Sequence, residues 1–250
     1  MMRELASLTT LQAAELVASP RSCVLVPVGS VEPHGPHLPL GTDAVISEVV
    51  ARRSAEQLVT KGVASVVAPT IPYGVTEFAR GFSGAVGISA PVLTAVLTEV
   101  AAALLRDGFS HVCFVNNHLE PAHDAAVRAV LNTQPTGAIS VASPLARRWG
   151  RTLSDEFKRG NCHAGRYETS LVIAAGQPVS GHDQLDGLDL SLSDGILAGK
   201  TSFLEMGMTR AYTGTPHEAS NAEGESLYER LVTMTVTEVL EGLEQRNIAQ

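Results

Sequence analysis

The 250-residue sequence has few cysteines, no long apolar run and no excess of positive charge. Its three cysteines show none of the short spacings found in metal-binding modules. No apolar stretch approaches the roughly 18 residues that a membrane span requires. The net charge of −8 disfavours nucleic acid and anionic membranes as partners. The absence of a G-x-S-x-G motif argues against a serine hydrolase.

The N-terminal segment lacks the basic start and the apolar stretch of a signal peptide, so we expect a cytoplasmic protein. Residues 7–10 followed by residues 11–17 predict a capped amphipathic helix instead. With 44% hydrophobic residues, the chain can bury the core of one large α/β domain over residues 1–250.

Apolar β-branched runs alternate with helical patterns, which predicts βα units and a mostly parallel sheet. The predicted strands are residues 23–28, 64–68, 111–115 and 138–142, and the predicted helices are residues 43–60, 91–106, 121–131, 168–175 and 223–246. Asp43 is an expected N-cap and Pro91 suits a first helical turn. Gly62 and Gly108 should end helices. Residues 176–215 show no periodicity and could form a lid, an oligomer contact or a substrate loop.

The residues that follow the first strand concentrate the chemistry of the chain. The apolar run of the first predicted strand ends at Gly29. A loop then presents Glu32, His34, His37 and Asp43 within a dozen residues. Carboxylates and imidazoles at the mouth of a strand are the ligands that a divalent metal needs. This segment therefore predicts a metal site, which at a strand end indicates catalysis.

Three further segments add candidate residues. His118 and Glu120 lie just past the third strand, and parallel strands direct such loops toward one crevice. His163 and Glu168 lie around the start of a helix. A Gly-rich loop at residues 73–84 follows the second strand.

Each candidate has a structural interpretation as well. His118 and His163 could be ordinary hydrogen-bonded histidines, Glu120 a helix-start charge before Pro121, and Glu168 part of a solvated helix face. Cys162 next to His163 is a conceivable nucleophile, whereas Cys23 and Cys113 lie in predicted buried strands. The segments together favour a metal hydrolase, because each falls where a site should form.

The motifs also resemble those of the creatininase (creatinine amidohydrolase) family. The run GSVEPHGPHLP at residues 29–39, followed by Thr42 and Asp43, is similar to its first motif. Residues 117–120 resemble the second motif, and residues 163–165 with 168–170 resemble the third. A weaker signature is matched between residues 214 and 224. The resemblance therefore extends over nearly the whole domain.

This resemblance implies a three-layer αβα fold, a homohexamer and two divalent metal ions, usually zinc or manganese and sometimes iron. Glu32, Asp43 and His118 would hold one metal, and His34, Asp43 and Glu120 the other. Asp43 would bridge the pair, and His37 would be structural or support the ligands. His163 would protonate the leaving nitrogen, and Glu168 would orient it or handle the proton. A metal-bound hydroxide would attack the carbonyl.

Departures from the family pattern bear on the substrate. Arg166 stands where many relatives have a glutamate, and Arg159 where creatinine-hydrolysing members have an aromatic residue. The only tryptophan is Trp149. The candidate substrate-binding residues are Tyr73, Ser83 and Arg166, the last by pairing with a carboxylate or phosphate. Arg166 could equally form a surface ion pair.

The predicted function is hydrolysis of a C–N bond in a small cyclic or acyclic amide. Creatinine is the second alternative, and C-terminal trimming of a short peptide, as in mycofactocin maturation, is the third. Glu120 argues against the peptidase branch. A metal-binding scaffold without catalysis is a further alternative. The complete set of ligands argues against it.

Overall fold

A computed structural model describes residues 4–249, and a parallel sheet lies at its centre. The strands are β1 (Ser22–Val28), β2 (Ala64–Val67), β3 (His111–Asn116) and β4 (Ile139–Ala142). They lie in the order β2-β1-β3-β4, so β1 and β3 are central. Val28 is opposite Asn116 in the register, which brings the carboxyl ends of β1 and β3 side by side.

Helices cover both faces of this sheet. They are α1 (Thr10–Val17), α2 (Thr42–Thr60), α3 (Ala90–Asp107), α4 (Pro121–Ala129), α5 (Arg147–Gly150), α6 (Asp155–Arg159), α7 (Arg166–Ala174), α8 (Leu192–Leu197) and α9 (Asn221–Ala249). One face carries α1, α3 and α4, and the other carries α2, α7 and α9. The expected three-layer αβα architecture is therefore confirmed.

The side chains of the central strands alternate between the two helical layers. Cys23 and Leu25 of β1 pack with the α2, α7 and α9 layer, whereas Val24 and Val26 pack with the opposite layer. Because each strand is covered on both faces, β1 and β3 are buried along their whole length. This explains why their sequences are continuous apolar runs.

The predicted elements are present with bounds shifted by a few residues. Thr9 caps α1 through a reciprocal arrangement with Gln12, Pro91 lies in the first turn of α3, and Gly108 ends that helix with a φ of 119°. The prediction that Asp43 is an N-cap is wrong. Gly41 occupies that position, because the Asp43 carboxylate is directed toward buried histidines. The first three residues and the last residue of the predicted 1–250 domain lie outside the described part.

Sequence periodicity did not reveal α5, α6 and α8, which are four to six residues long. The aperiodic stretch at residues 176–215 contains α8 and contributes Phe203, Met206 and Met208 to a third apolar cluster. Phe78 packs against this cluster, which lies next to the carboxyl edge of the sheet. Within the described residues, no helix has the length and apolar character to cross a bilayer.

Candidate metal centre

The first group of site residues lies on the loop after β1 and on the first turn of α2. A Cβ at Gly29 would lie 2.5 Å from the backbone nitrogen of Ala44, so the close approach of loop and helix requires glycine. This approach brings Asp43 beside Glu32 and His34. All three side chains are buried.

The second group follows β3, and its turn is held by side-chain hydrogen bonds. The Asn116 amide donates to the His118 carbonyl oxygen at 3.1 Å and accepts from the His118 N–H at 3.1 Å. The Ser47 hydroxyl accepts from the Asn117 N–H at 3.1 Å and donates to the Val28 carbonyl at 2.7 Å. These bonds connect α2 to the ends of both central strands, so the two groups have a fixed relative position.

Asp43 lies between two histidines and presents one carboxylate oxygen to each. Its Oδ1 is 3.2 Å from Nε2 of His34, and its Oδ2 is 3.0 Å from Nδ1 of His118. The same Nδ1 is 3.5 Å from Oε1 of Glu32, and Nε2 of His34 is 3.6 Å from Oε2 of Glu168. This is the geometry of a carboxylate shared between two adjacent binding positions.

Backbone carbonyls determine which nitrogen of each histidine can bind a cation. His34 Nδ1 lies 3.0 Å from the Glu32 carbonyl oxygen, and His118 Nε2 lies 2.7 Å from that of Val75. A carbonyl only accepts, so the proton of each neutral ring lies on that nitrogen. The other nitrogen of each ring then presents its lone pair to the cluster, as metal-binding histidines do.

The described residues leave part of this cluster without hydrogen-bond partners, which tests whether a metal would fit. Nε2 of His34 and Oδ2 of Asp43 are fully buried and form no hydrogen bond. Buried polar atoms are rarely left unsatisfied, because each costs about 1–3 kcal/mol. Imidazole nitrogens and carboxylate oxygens with free lone pairs are the donors that divalent cations prefer. The site residues therefore fit a metal.

The electrostatics of the cluster show how strongly it favours positive charge. Burial opposes protonation of His34, yet Asp43, Glu168 and Glu32 raise its pKa to about 10. Burial likewise opposes protonation of His118, while Glu32 and Asp43 raise its pKa to about 10. Burial raises the Asp43 pKa, but His34 and His118 lower it well below its usual range. Cations bound here would replace protons as the compensating charge.

Glu120 and Glu168 take positions that differ from the ligand sets implied by the resemblance. The ligand atoms of Glu120, Glu32 and His118 lie within 4.8 Å of one another, whereas Glu168 groups in this way with His34 and Asp43. The Glu120 carboxylate also accepts the N–H groups of residues 77 and 78 at 3.1 and 3.2 Å. Both carboxylates therefore lie within the cluster, on opposite sides of Asp43.

His163 lies beside this cluster with one ring nitrogen directed inward. Its Nε2 is 3.1 Å from the Pro33 carbonyl oxygen, which places the proton of the neutral ring on that nitrogen. Its Nδ1 is 3.9 Å from Oε1 of Glu32, and the ring stacks on Phe203 with centroids 4.2 Å apart. The next residue, Ala164, has a φ of 48° and donates its N–H to Glu168 at 2.6 Å. This strained turn therefore connects the backbone next to His163 with the Glu168 carboxylate.

His37 and Cys162 lie near the site without joining the cluster. Nε2 of His37 is 2.9 Å from the Thr169 hydroxyl, and burial lowers the pKa of this histidine to about 4, which agrees with the structural role expected from the sequence. Burial raises the pKa of the Cys162 thiol well above its usual value. A protonated thiol is a poor nucleophile, so the geometry does not favour that alternative.

The three candidate substrate-binding residues lie away from the cavity that opens onto the cluster. Tyr73 and Ser83 are exposed and do not line it. Arg166 pairs with Glu218 at 2.8 Å and with Glu223 at 3.1 Å. The guanidinium of Arg166 is thus occupied by carboxylates of the chain itself.

The cavity itself has a volume of about 740 Å³ and extends from the cluster to the surface. Its inner wall includes the rings of Phe78, Phe157 and Phe203, and its outer part includes Arg147 and Arg151. A volume of this size fits a ligand larger than a single small ring. Trp149 does not line it; its indole donates to Glu238 at 2.6 Å.

Sequence reasoning missed several of these residues. Thr76 hydrogen-bonds Oε2 of Glu32 from within the Gly-rich loop at residues 73–84, and Phe203 stacks on His163 from a segment without periodicity or motif. Arg147 and Arg151 are four residues apart, a spacing that places two side chains on one helical face. That spacing was the only available signal, and it is common on solvated surfaces.

Comparison with known proteins agrees with this geometry. The family model described as "Creatininase: Creatinine amidohydrolase" matches residues 6–239. The mycofactocin precursor peptide peptidase of Mycolicibacterium smegmatis is 31% identical over 225 residues, or 84% of this chain and 81% of the relative. The creatinine amidohydrolase of Pseudomonas putida is 28% identical over 104 residues, or 39% of this chain and 38% of the relative.

A solved structure of a mutant creatininase, described as of the Zn-Zn type, has the same fold. It superimposes with a TM-score of 0.74 at 20% identity and covers 97% of this chain and 99% of its own. The family model spans nearly the whole sequence, and the motifs that it includes meet at one buried cluster. The chain therefore belongs to the creatininase family, whose members are metal-dependent amidohydrolases.

Proposed function

We propose that this protein hydrolyses an amide C–N bond at a site that holds two divalent cations. The observation that carries the proposal is the position of Asp43, whose two oxygens face Nε2 of His34 and Nδ1 of His118. A two-metal site needs a shared anion, because two cations about 3.5–4 Å apart repel each other. The solved creatininase structure described as Zn-Zn supports two metals in this family.

The ligand set that we propose combines the resemblance with this geometry. Asp43 would be shared, Glu32, His118 and Glu120 would hold one cation, and His34 would hold the other, with Glu168 on the same side of Asp43. Zinc and manganese both suit such histidine and carboxylate donors, and iron remains an alternative. Divalent cations supply Lewis acidity, which polarises a carbonyl and acidifies water at neutral pH.

The proton transfers fall to His163 and Glu168. Nε2–H of His163 donates to the Pro33 carbonyl, so its Nδ1 is the nitrogen that can accept a proton and deliver it to the departing amine. Stacking on Phe203 and the bond between Ala164 N–H and Glu168 hold the ring in this orientation. Glu168 therefore positions His163 through the Ala164 backbone.

Metal analysis followed by a hydrolysis panel tests this function. The purified protein is analysed for metals, stripped with a chelator and reloaded with zinc or manganese. Each form is then assayed on cyclic amides, acyclic amides, creatinine and short peptides. We expect about two metal ions per chain and metal-dependent cleavage of at least one amide class. A fully active metal-free protein would contradict the proposal.

Cleavage of a short peptide is a second candidate function. The 31% identity to a mycofactocin precursor peptide peptidase over 84% of the chain favours it, as does the 740 Å³ cavity, which exceeds the needs of one small ring. In the same panel, this candidate predicts a higher kcat/KM on peptides than on small amides. Glu120, whose place in the second motif argues against a peptidase, is compatible with either substrate because it lies within the metal cluster.

A further inference from the structure

The outer part of the cavity carries positive charge, in contrast to the acidic chain as a whole. Arg147, Arg151 and Lys158 line it, whereas the carboxylates of the cavity are all in the metal cluster at its inner end. The formal net charge of the chain is −8, so three cations on one wall are not the average property of the surface. A cavity lined by charge of one sign attracts ligands of the opposite sign.

The two arginines of this wall form none of the ion pairs that would give them a structural role within the described residues. Arg148, which lies between them in sequence, pairs with Glu238 at 2.5 Å and with Glu241 at 2.8 Å on α9. Arg147 and Arg151 are exposed and form no ion pair with any described residue. Lys158 is different, because it pairs with Asp155 at 3.0 Å.

The anchoring of α5 fixes the direction in which these arginines lie. Arg148 and the Trp149 indole both bond Glu238, so the short helix is attached to α9 at two points. Residues four apart lie on the same side of a helical turn, and Arg147 and Arg151 both line the cavity. The unpaired cations are therefore held on the cavity side, and the paired one is on the opposite side.

Apolar side chains line the cavity from its buried end to its exposed rim. Phe203 is buried, Leu119 and Phe157 are half-buried, and Leu145 and Leu197 are exposed. A ligand that spans the cavity would meet the metals, then an apolar surface, and then two unpaired guanidinium groups. Guanidinium binds carboxylate and phosphate with charge-assisted, often bidentate, hydrogen bonds.

We infer that the substrate has an anionic group, separated from the scissile amide by an apolar portion, which Arg147 and Arg151 bind. This inference rests on the proposed function, since it takes the metal cluster as the position of the amide. It replaces Arg166, whose guanidinium is already paired with Glu218 and Glu223, as the cationic recognition element. Creatinine, which has no apolar spacer, would not use this subsite.

The test measures binding to the zinc-loaded protein by calorimetry, without turnover. The probes are alkanohydroxamates of increasing chain length, because a hydroxamate binds metal and stands in for the amide. Each is made with a carboxylate, a phosphonate or a neutral carboxamide at the far end. At the best length we expect an anionic probe to bind about tenfold more tightly than its carboxamide counterpart. The better of the two anions identifies the natural group.

A double variant and a matched control locate the effect. R147Q with R151Q should abolish the preference for the anionic probe while leaving the carboxamide affinity unchanged. Arg159→Gln is the control, since Arg159 is an exposed arginine that does not line the cavity. The preference of the unmodified protein should also fall as salt is raised, because exposed ion pairs are screened.

The outcomes separate this inference from the function on which it rests. Equal affinity for anionic and neutral probes, or a preference that survives in the double variant, would overturn the anionic subsite and leave the metal function intact. Failure of every hydroxamate to bind the metal-loaded protein would overturn both. A preference that only the double variant loses would establish the subsite.

Discussion

Two regions of this molecule bury carboxylates, and their surroundings are opposite. The Glu156 carboxylate accepts the backbone N–H of Thr215 at 2.8 Å, of Tyr167 at 2.7 Å and of Arg166 at 3.1 Å. The metal cluster around Asp43 instead faces other carboxylates and the lone pairs of two histidines. It also contains buried atoms without a hydrogen bond.

The hydrogen-bond partners of a buried carboxylate distinguish a structural charge from a functional one. Glu156 has its hydrogen-bonding capacity filled by the protein, so it connects α6 to the start of α7 and to residue 215. The neighbours of the Asp43 carboxylate are other carboxylates and the unprotonated nitrogens of the neutral His34 and His118 rings. None of these atoms can donate a hydrogen bond to it. The second region needs positive charge, which protons on His34 and His118 supply in the absence of a metal, so burial alone does not identify a site.

The largest expected effect follows from removing the shared carboxylate. Asp43→Ala should lose both metals, and kcat/KM should fall by at least about 10³-fold, because the remaining ligands no longer have a common anion. Elemental analysis and the amide assay measure the two effects. Glu156→Gln serves as the control and should keep its metals. Two metal ions retained in Asp43→Ala would contradict the assignment.

A buried histidine with both nitrogens satisfied should affect stability and its pH dependence instead of metal binding. His111 contacts the Gly137 carbonyl at 2.9 Å and the Ser140 hydroxyl at 2.8 Å, with Arg246 nearby, and burial lowers its pKa to about 4. In the unfolded chain the pKa of this histidine is about 6.5, so the neutral His111 ring contributes its full stabilisation above that pH. The contribution, about 3 kcal/mol, is lost as the pH falls through the folded-state pKa of about 4.

Urea unfolding of the metal-free protein measures this contribution. The unfolding free energy of the unmodified chain should fall more steeply between pH 7 and pH 4 than that of His111→Gln, which cannot titrate there. Parallel pH profiles for the two proteins would show that His111 is not buried in the neutral form. Chelation before the measurement removes the separate pH dependence of metal binding.

The roles of the two carboxylates beside Asp43 can be separated by a matched pair of variants. Glu120→Gln should lower the metal content and raise the metal requirement about 10–100-fold, as expected for a ligand. Glu168→Gln should keep two metals and lower kcat by about a hundredfold, because the proton transfer through His163 is impaired. The opposite pattern would assign Glu168 to the metal, next to His34 where it lies.

A substitution of Glu156 should change the folding stability and leave metal binding unchanged. Glu156→Gln replaces one accepting oxygen by an NH₂ group that faces backbone donors, which should cost about 2 kcal/mol in the free energy of unfolding. Denaturant titration gives this value, and elemental analysis should show an unchanged metal content. A loss of metal without a loss of stability would remove the distinction between the two regions.

The smallest effect is expected at Arg166, an ion pair at the surface. Arg166→Ala should lower the unfolding free energy by less than about 1 kcal/mol and change kcat/KM less than about twofold. Steady-state kinetics with the substrate found in the panel provides the measurement. A KM increased tenfold with kcat unchanged would restore Arg166 as a substrate-binding residue.

The sequence allowed the fold to be predicted well, since the four strands and the long helices have strong apolar patterns. Short elements such as α5 and α8 were missed because four to six residues do not establish a period. The first motif led to Glu32, His34 and Asp43 because its ligands are crowded into one loop. Tyr73 and Ser83 are expected near the substrate because they lie in the Gly-rich loop after the second strand, yet both are on the surface. The hexameric assembly and the cytoplasmic location stay predictions.

The αβα fold, the family and the residue types that carry the chemistry can be predicted from the sequence, because periodicity and motif spacing are local properties of the chain. Which ligand atoms face each other depends on the tertiary structure. The register of β1 against β3 and the close approach at Gly29 bring together residues that are 75 or more positions apart, such as Asp43 and His118. The cationic wall formed by Arg147 and Arg151 likewise exists only in three dimensions, since a cavity is defined by surfaces that distant segments share.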